Sequence, residues 1–394
     1  MASSPHDSSD SQPPSGMPSV PPDVATAAAR APWRLNAVLF AVTIASVLYT
    51  GMAGEEPGVA LVRGAQFAGS LLAILVAHES GHYIAARIHK VDASLPYFIP
   101  MPFPLSPFGT MGAVIRMRGT IPTRRALLDI GASGPLAGLL LAIPLYTWGF
   151  AHSKVVPLGD DAMSLGESVL TKLLELATGR VVPPGMDMEL SPVAYGAWAG
   201  MFVTMINLLP VGQLDGGHVA YALFGPRQDK FATVVHRSML AFFFVSVASF
   251  LVRDVRGGLG LLHLGSAVGN SLFWLVWFEV LAILGALSSR AQGAEGARRA
   301  ADDLPIRTRA MATVALALLA SVGRDRSSPL LWIAWFLGLG LLLTMEVRGG
   351  VLRKHSLLDH PPTGPAPLDP VRTVIAVVTL AFFALLFMPT PIAL

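Results

Sequence analysis

The chain contains no cysteine. That excludes disulfides, thiolate metal ligands and thiol nucleophiles, so any metal centre has to draw on His, Asp and Glu. Charge is scarce too: Lys, Arg, Asp and Glu make up 13% of the residues against 53% hydrophobic ones, and the mean hydropathy is +0.58. With several apolar runs long enough to span lipid, this is the composition of a polytopic membrane protein. No basic patch with interleaved aromatics occurs, which argues against nucleic acid as a partner. The pI near 9.3 reflects basic loops that set topology. The first 33 residues lack an apolar core and are rich in Ser, Pro and small residues; they read as a disordered tail and not as a cleaved signal peptide.

Apolar spans are expected at roughly 34–52, 66–88, 126–150, 192–209, 231–252, 259–287, 311–323, 329–346 and 371–388, the seventh being short for a crossing. With a cytoplasmic N-terminus and nine crossings, cytoplasmic loops hold 19 of the 28 Lys and Arg, as the positive-inside rule requires. Between the second and third spans, "VDASLPYFIPMPFPLSPFGTMGAVIRMRGTIPTRR" is apolar, carries many prolines and then alternates through "GAVIRMR". A helix cannot continue through it. It reads as a re-entrant or interfacial β-hairpin, since irregular backbone at membrane depth needs protein or a wet cavity to satisfy its polar groups.

Into the second span are set "HESGH", residues 78 to 82. On a helix His78 and His82 are i and i+4, on one face, so both imidazoles can meet one metal ion while Glu79 sits beside them to reach water there. Ionisable groups inside a span are costly and mark functional sites. Counting back from Arg87 at 1.5 Å per residue puts the metal about 8 to 14 Å in from the cytoplasmic helix end. A catalytic zinc usually has three protein ligands and an open position. The third is sought in "MINLLPVGQLDGGHVAYALFG", where a later span ends and Asp215 precedes Gly216 and Gly217. His218 is the alternative ligand. In the nine-span orientation the second and fourth spans run the same way, which brings His78, His82 and Asp215 to the cytoplasmic side.

"HESGH" in one span and "NLLPVGQLDGGH" at the end of another, with "FGTMGAVIRMRGTIPTRRALLDIGASGPLAG" between them, resemble the site-2 protease family of intramembrane zinc metalloproteases. The branch is the one similar to the chloroplast ethylene-dependent gravitropism-deficient and yellow-green proteins, and the likeness covers about residues 66 to 225. It implies His78, His82 and Asp215 as zinc ligands, Glu79 as catalytic base and Asn207 as a substrate-positioning amide. Many relatives carry a PDZ domain between the two motifs; the loop at about 151 to 191 is too short for one.

The implied fold is an all-α polytopic membrane protein of about eight to nine spans. It comprises a site-2-protease-like core at 34–225 with a short hairpin, a C-terminal region of further spans at 226–394, and the tail at 1–33. The implied chemistry is peptide hydrolysis with Zn2+ as cofactor and Glu79 as general base. The implied partners are the bilayer and a membrane-protein substrate whose transmembrane segment unwinds, adding as a strand to residues 112 to 118. Two other classes remain: a divalent-cation transporter, which would string ionisable groups along a path, and a catalytically silent membrane binding protein. Asp129 reads as a capping or structural group, Glu279 as a helix-to-helix hydrogen-bonding group, "GASGPLAG" as close packing, and Arg124 and Arg125 as topology determinants. The absence of a recognisable signal or transit segment suggests a bacterial cytoplasmic membrane with the site toward the cytoplasm.

Overall fold

The protein, seen as a computed structural model, is described over residues 33–102, 106–118, 121–157, 164–258, 263–291, 294–325, 329–353, 358–364 and 366–393. Of the expected N-terminal tail only Trp33 falls inside these residues. The apolar runs form helices: α1 (Trp33–Met52), α2 (Ala60–Ile88), α3 (Arg124–Ala151), α4 (Val169–Ala177), α5 (Pro192–Asn207) and α6 (Asp215–Phe224). They are followed by α7 (Gln228–Arg256), α8 (Leu264–Ala291), α9 (Ala294–Ala301), α10 (Ile306–Asp325), α11 (Pro329–Gly349) and α12 (Pro370–Leu386).

Among the described residues six helical stretches are long and apolar enough to cross a membrane: α1, α2, α3, the run Asp215–Arg256, α8 and α11. The expectation of eight to nine spans adds to these the shorter or more charged helices α5, α10 and α12. At 1.5 Å per residue, α5 with 16 residues and α12 with 17 reach only about 24 to 26 Å, short of a hydrocarbon core of about 30 Å. The seventh expected span lies in α10, which has 20 residues but starts with Arg307 and Arg309 and is not among the six.

The proline-rich segment between α2 and α3 is a hairpin, as expected. Strand β2 (Tyr97–Pro100) pairs antiparallel with β3 (Thr110–Val114), with a register shift between Phe98 and Pro100, and β1 (Asp92–Ala93) pairs with β4 (Met117–Arg118). Helix α1 supplies donors that the apolar strands lack. Asn36 donates to the carbonyls of Leu95 and Pro96, both at 3.0 Å, and Ser46 donates to that of Gly109 at 2.6 Å. Gly109 has φ +78°, and a Cβ there would stand 2.6 Å from the Cα of Val47, so only glycine allows this approach.

The centre of the fold is α2 against α3 and α5. Small residues set the spacing, as is common between helices in lipid. A Cβ on Gly196 would lie 2.1 Å from the Ser70 hydroxyl, one on Gly81 2.4 Å from the Ser133 carbonyl oxygen, and one on Gly149 2.5 Å from the Ala194 nitrogen.

The C-terminal helices α8, α10 and α11 are joined by charge. Arg309 is fully buried and bonds Glu279 at 3.2 Å, Asp303 at 3.0 Å and Glu346; Glu279 thus has the helix-to-helix role expected of it. One guanidinium serves three buried carboxylates. Arg309→Met leaves those carboxylates facing one another without a cation, which should lower the unfolding free energy by about 3 to 5 kcal/mol. Denaturant unfolding in detergent, compared with wild type, reads this directly.

Candidate metal centre

Helix α2 presents His78 and His82 toward α3, α5 and α6, and His78 and the adjoining Glu79 are buried. The third member comes from far along the chain: Asp215 is the first residue of α6. His78 Nε2 lies 3.1 Å from Asp215 Oδ2, His82 Nε2 lies 3.2 Å from the same oxygen, and the two Nε2 atoms are 3.1 Å apart. These atoms form a nearly equilateral triangle. Ligands at 2.0 to 2.1 Å from a tetrahedral zinc are separated by about 3.3 Å, so the observed sides fit such an ion. Among the described residues no other group of three His, Asp or Glu converges in this way.

The tautomer supports the same fit. His82 Nδ1 faces the Ile130 carbonyl at 2.7 Å. A carbonyl only accepts, so Nδ1 carries the hydrogen and a neutral ring turns its Nε2 lone pair toward His78 and Asp215. This is the arrangement that orients ligating imidazoles. The Ile130 carbonyl also accepts from Ser133 Oγ at 2.9 Å. The expected packing stripe of α3 therefore shapes the centre as well. A Cβ on Gly134 would stand 2.1 Å from His82 Nε2, one on Gly138 3.4 Å from His78 Cβ, and one on Gly131 2.8 Å from His218 Cβ.

Asp215 is delivered by a tight fold of the chain. The N-cap of α6 is Leu214 and makes no side-chain cap bond, so the carboxylate is turned to the cluster and does not close the helix end. A Cβ on Gly216 would lie 1.9 Å from the Leu208 carbonyl oxygen and one on Gly217 2.3 Å from that of Gly212. That is the physical reason for two glycines after the aspartate. At the other end of α6, Arg124 donates from Nε to the carbonyl of Ala222 at 2.8 Å and from Nη2 to that of Leu223 at 2.9 Å. Beyond any effect on topology, Arg124 thus satisfies the last carbonyls of α6, while Arg125 lies 3.9 Å from Asp369.

Asn207 ends α5 with its Nδ2 3.4 Å from His78 Nε2, beside the cluster as expected. Glu79 follows His78 on α2 and interacts electrostatically with His78, His82 and Asp215. His218 is outside the triangle: its Nδ1 meets His360 Nε2 at 2.8 Å. His360 Nδ1 faces the Pro361 carbonyl at 2.7 Å, so it is protonated there and His360 Nε2 accepts from His218. Burial, with His218 beside it, holds the pKa of His360 down at about 3, which keeps the ring neutral. Asp129 bonds His89 and Arg372. Sequence reasoning did not find the parts played by Ile130, Arg124, His360 and Arg372. Only Arg124 and Arg372 carried a signal, as cations next to apolar spans.

A sequence model of peptidase family M50 matches residues 66–246. Probable zinc metalloprotease EGY2, chloroplastic, of Oryza sativa subsp. indica is 34% identical over 156 residues, 39% of this chain and 28% of that protein. Probable zinc metalloprotease EGY1, chloroplastic, of Arabidopsis thaliana is 34% identical over 161 residues, 39% of this chain and 29% of that protein. For the EGY2 protein of Arabidopsis thaliana the figures are 31% over 199 residues, 47% and 35%. The chain spans about a third of the length of these relatives. No solved structure matches it. His78, Glu79, His82, Asn207 and Asp215 all lie in 66–246, so the segment that builds the candidate metal centre is the one that carries the likeness to peptidase family M50, the site-2 proteases.

Proposed function

We propose that the chain is a zinc metalloendopeptidase that hydrolyses peptide bonds in or near transmembrane segments of membrane-protein substrates. The observation that carries this is the triangle of His78 Nε2, His82 Nε2 and Asp215 Oδ2 with sides of 3.1 to 3.2 Å. It is built on a membrane-length helix with Glu79 beside it.

In this reading His78, His82 and Asp215 hold the zinc. When bound, zinc acidifies water and polarises a peptide carbonyl. Glu79 takes the proton at its carboxylate and returns it to the leaving amine. Burial of Glu79 keeps bulk water from competing for that proton. The Asn207 amide holds the backbone of the unwound substrate. A transmembrane helix hides its carbonyls in its own hydrogen bonds, so the substrate presents an extended segment first. Of the edge expected at 112 to 118, Met117 and Arg118 are taken up by pairing with β1, so the acceptor is β3, which among the described residues pairs only with β2 and leaves Met111 and Val114 half exposed. Main-chain bonding to a strand edge is a general way to hold such a segment.

The catalytic part is residues 34–225, with 226–394 as an added C-terminal region and the bilayer as a standing partner. A multi-pass membrane protein accords with the apolar helices. The three relatives named above are chloroplastic and lend no support to the expected bacterial cytoplasmic membrane. The transporter reading has less behind it, because Glu279, Asp303 and Glu346 are gathered on Arg309 and do not trail from the metal centre.

Three outcomes follow for the full chain in detergent, with zinc measured by elemental analysis and cleavage followed on a transmembrane-segment substrate. Glu79→Gln should keep zinc while cleavage falls by about 10²- to 10⁴-fold; undiminished cleavage would remove Glu79 from its role. Asp215→Ala should lose zinc and activity, whereas His218→Ala should keep zinc, and the reverse result would exchange the two residues. Gly134→Ala, which sets a methyl against His82 Nε2, should abolish zinc uptake, and normal uptake would show that the ring is not confined there.

A further inference from the structure

The likeness to family M50 ends at residue 246, yet α12, which starts at Pro370, grips the supports of the metal centre. Arg372 in its first turn donates from Nε to Asp129 Oδ1 at 2.9 Å and from Nη2 to Oδ2 at 2.7 Å. This is a two-point fork on a carboxylate, the strongest form of such a pair. Asp129 Oδ2 also meets His89 Nε2 at 2.8 Å, and His89 is the C-cap of α2, the helix that carries His78 and His82. One carboxylate of α3 is therefore held at once to the end of α2 and to α12.

The next residue after Asp129 is Ile130, whose carbonyl sets the tautomer and aim of His82. Helix α3 lacks one main-chain bond next to this point. Pro135 has no N–H to offer the carbonyl of Gly131, and the Ile130 carbonyl is shared between His82 and Ser133. Close approach of α3 to α2 at Gly81 and Gly134 holds this stretch from one side, and the fork on Asp129 adds a hold at the end of α2. Below the fork, Ala376 of α12 packs in one apolar cluster with Leu127 and Leu128 of α3 and Val219 of α6. The element that holds Asp129 thus touches both helices flanking the centre.

We propose that Arg372 is a positioning residue of the metal centre: by clamping Asp129 against His89 it fixes α3 along α2 and so aims the Ile130 carbonyl at His82. The proposal rests on the reading of His78, His82 and Asp215 as zinc ligands. It makes a helix outside the family segment a working part of the site.

The test uses the full chain in detergent as wild type, Arg372→Gln, Asp129→Asn, the double variant and Arg372→Lys. Zinc affinity is measured by competition with a chelator, the cobalt-loaded protein gives an absorption spectrum, and the metal-free protein gives a thermal unfolding midpoint. Both single variants should bind zinc about 10- to 100-fold more weakly, the size usual for loss of a group that orients a ligand, and should alter the cobalt spectrum. The double variant should lose no more than the worse single one, because both break one clamp. Arg372→Lys keeps the charge without the fork and should fold and recover part of the loss, so it carries the test if Arg372→Gln does not fold. Variants with wild-type zinc affinity and cobalt spectrum, changed only in unfolding midpoint, would overturn the proposal. A wild type that takes up no zinc would remove the metal centre itself, and the clamp with it.

Discussion

Three lone pairs converge on one point between α2 and α6, and nearly everything near them serves to hold them there. Two imidazole nitrogens and a carboxylate oxygen at 3.1 to 3.2 Å are all able to accept, so they suit a shared cation, whether a proton or a metal ion. The surrounding packing has to supply the constraint. Glycines at 131, 134 and 138 bring α3 close enough to lean on His218, His82 and His78 in turn, and glycines at 216 and 217 let the chain fold back so that α6 starts at Asp215. Arg124 then secures the far end of that short helix.

Much of this was legible in the residues, because the chemistry is local where the motifs are local. The spacing of His78 and His82 is a helix property, and Asp215 ahead of two glycines could be read as a ligand on a turn. Glu279 inside an apolar span demanded a partner, and it has one in Arg309. The hairpin could be seen from prolines that no helix tolerates.

What stayed hidden is non-local. Nothing in "GASGPLAG" says which side chain fills the space left by each missing Cβ, so packing was visible and its object was not. Ile130 acts through its main-chain oxygen, to which residue identity is nearly irrelevant. His360 and Arg372 lie 142 and 243 residues from the groups they bond. What the apolar helices pack against was hidden for a related reason. Hydropathy registers apolar runs whether they face lipid or protein, and α5, whose buried residues include Trp198, Met201 and Met205, draws its apolar character from the interior of the bundle.

The grip of α1 on the hairpin has a mechanical meaning. Asn36 and Ser46 hold both β2's approach and β3's turn, and Gly109 admits no space between strand and helix. To slide apart, the two would have to leave the carbonyls of Leu95, Pro96 and Gly109 without their side-chain donors, a cost of about 1 to 3 kcal/mol for each one that stays buried. Helix and hairpin therefore travel as one body. Any displacement of α1 carries the edge of the hairpin with it.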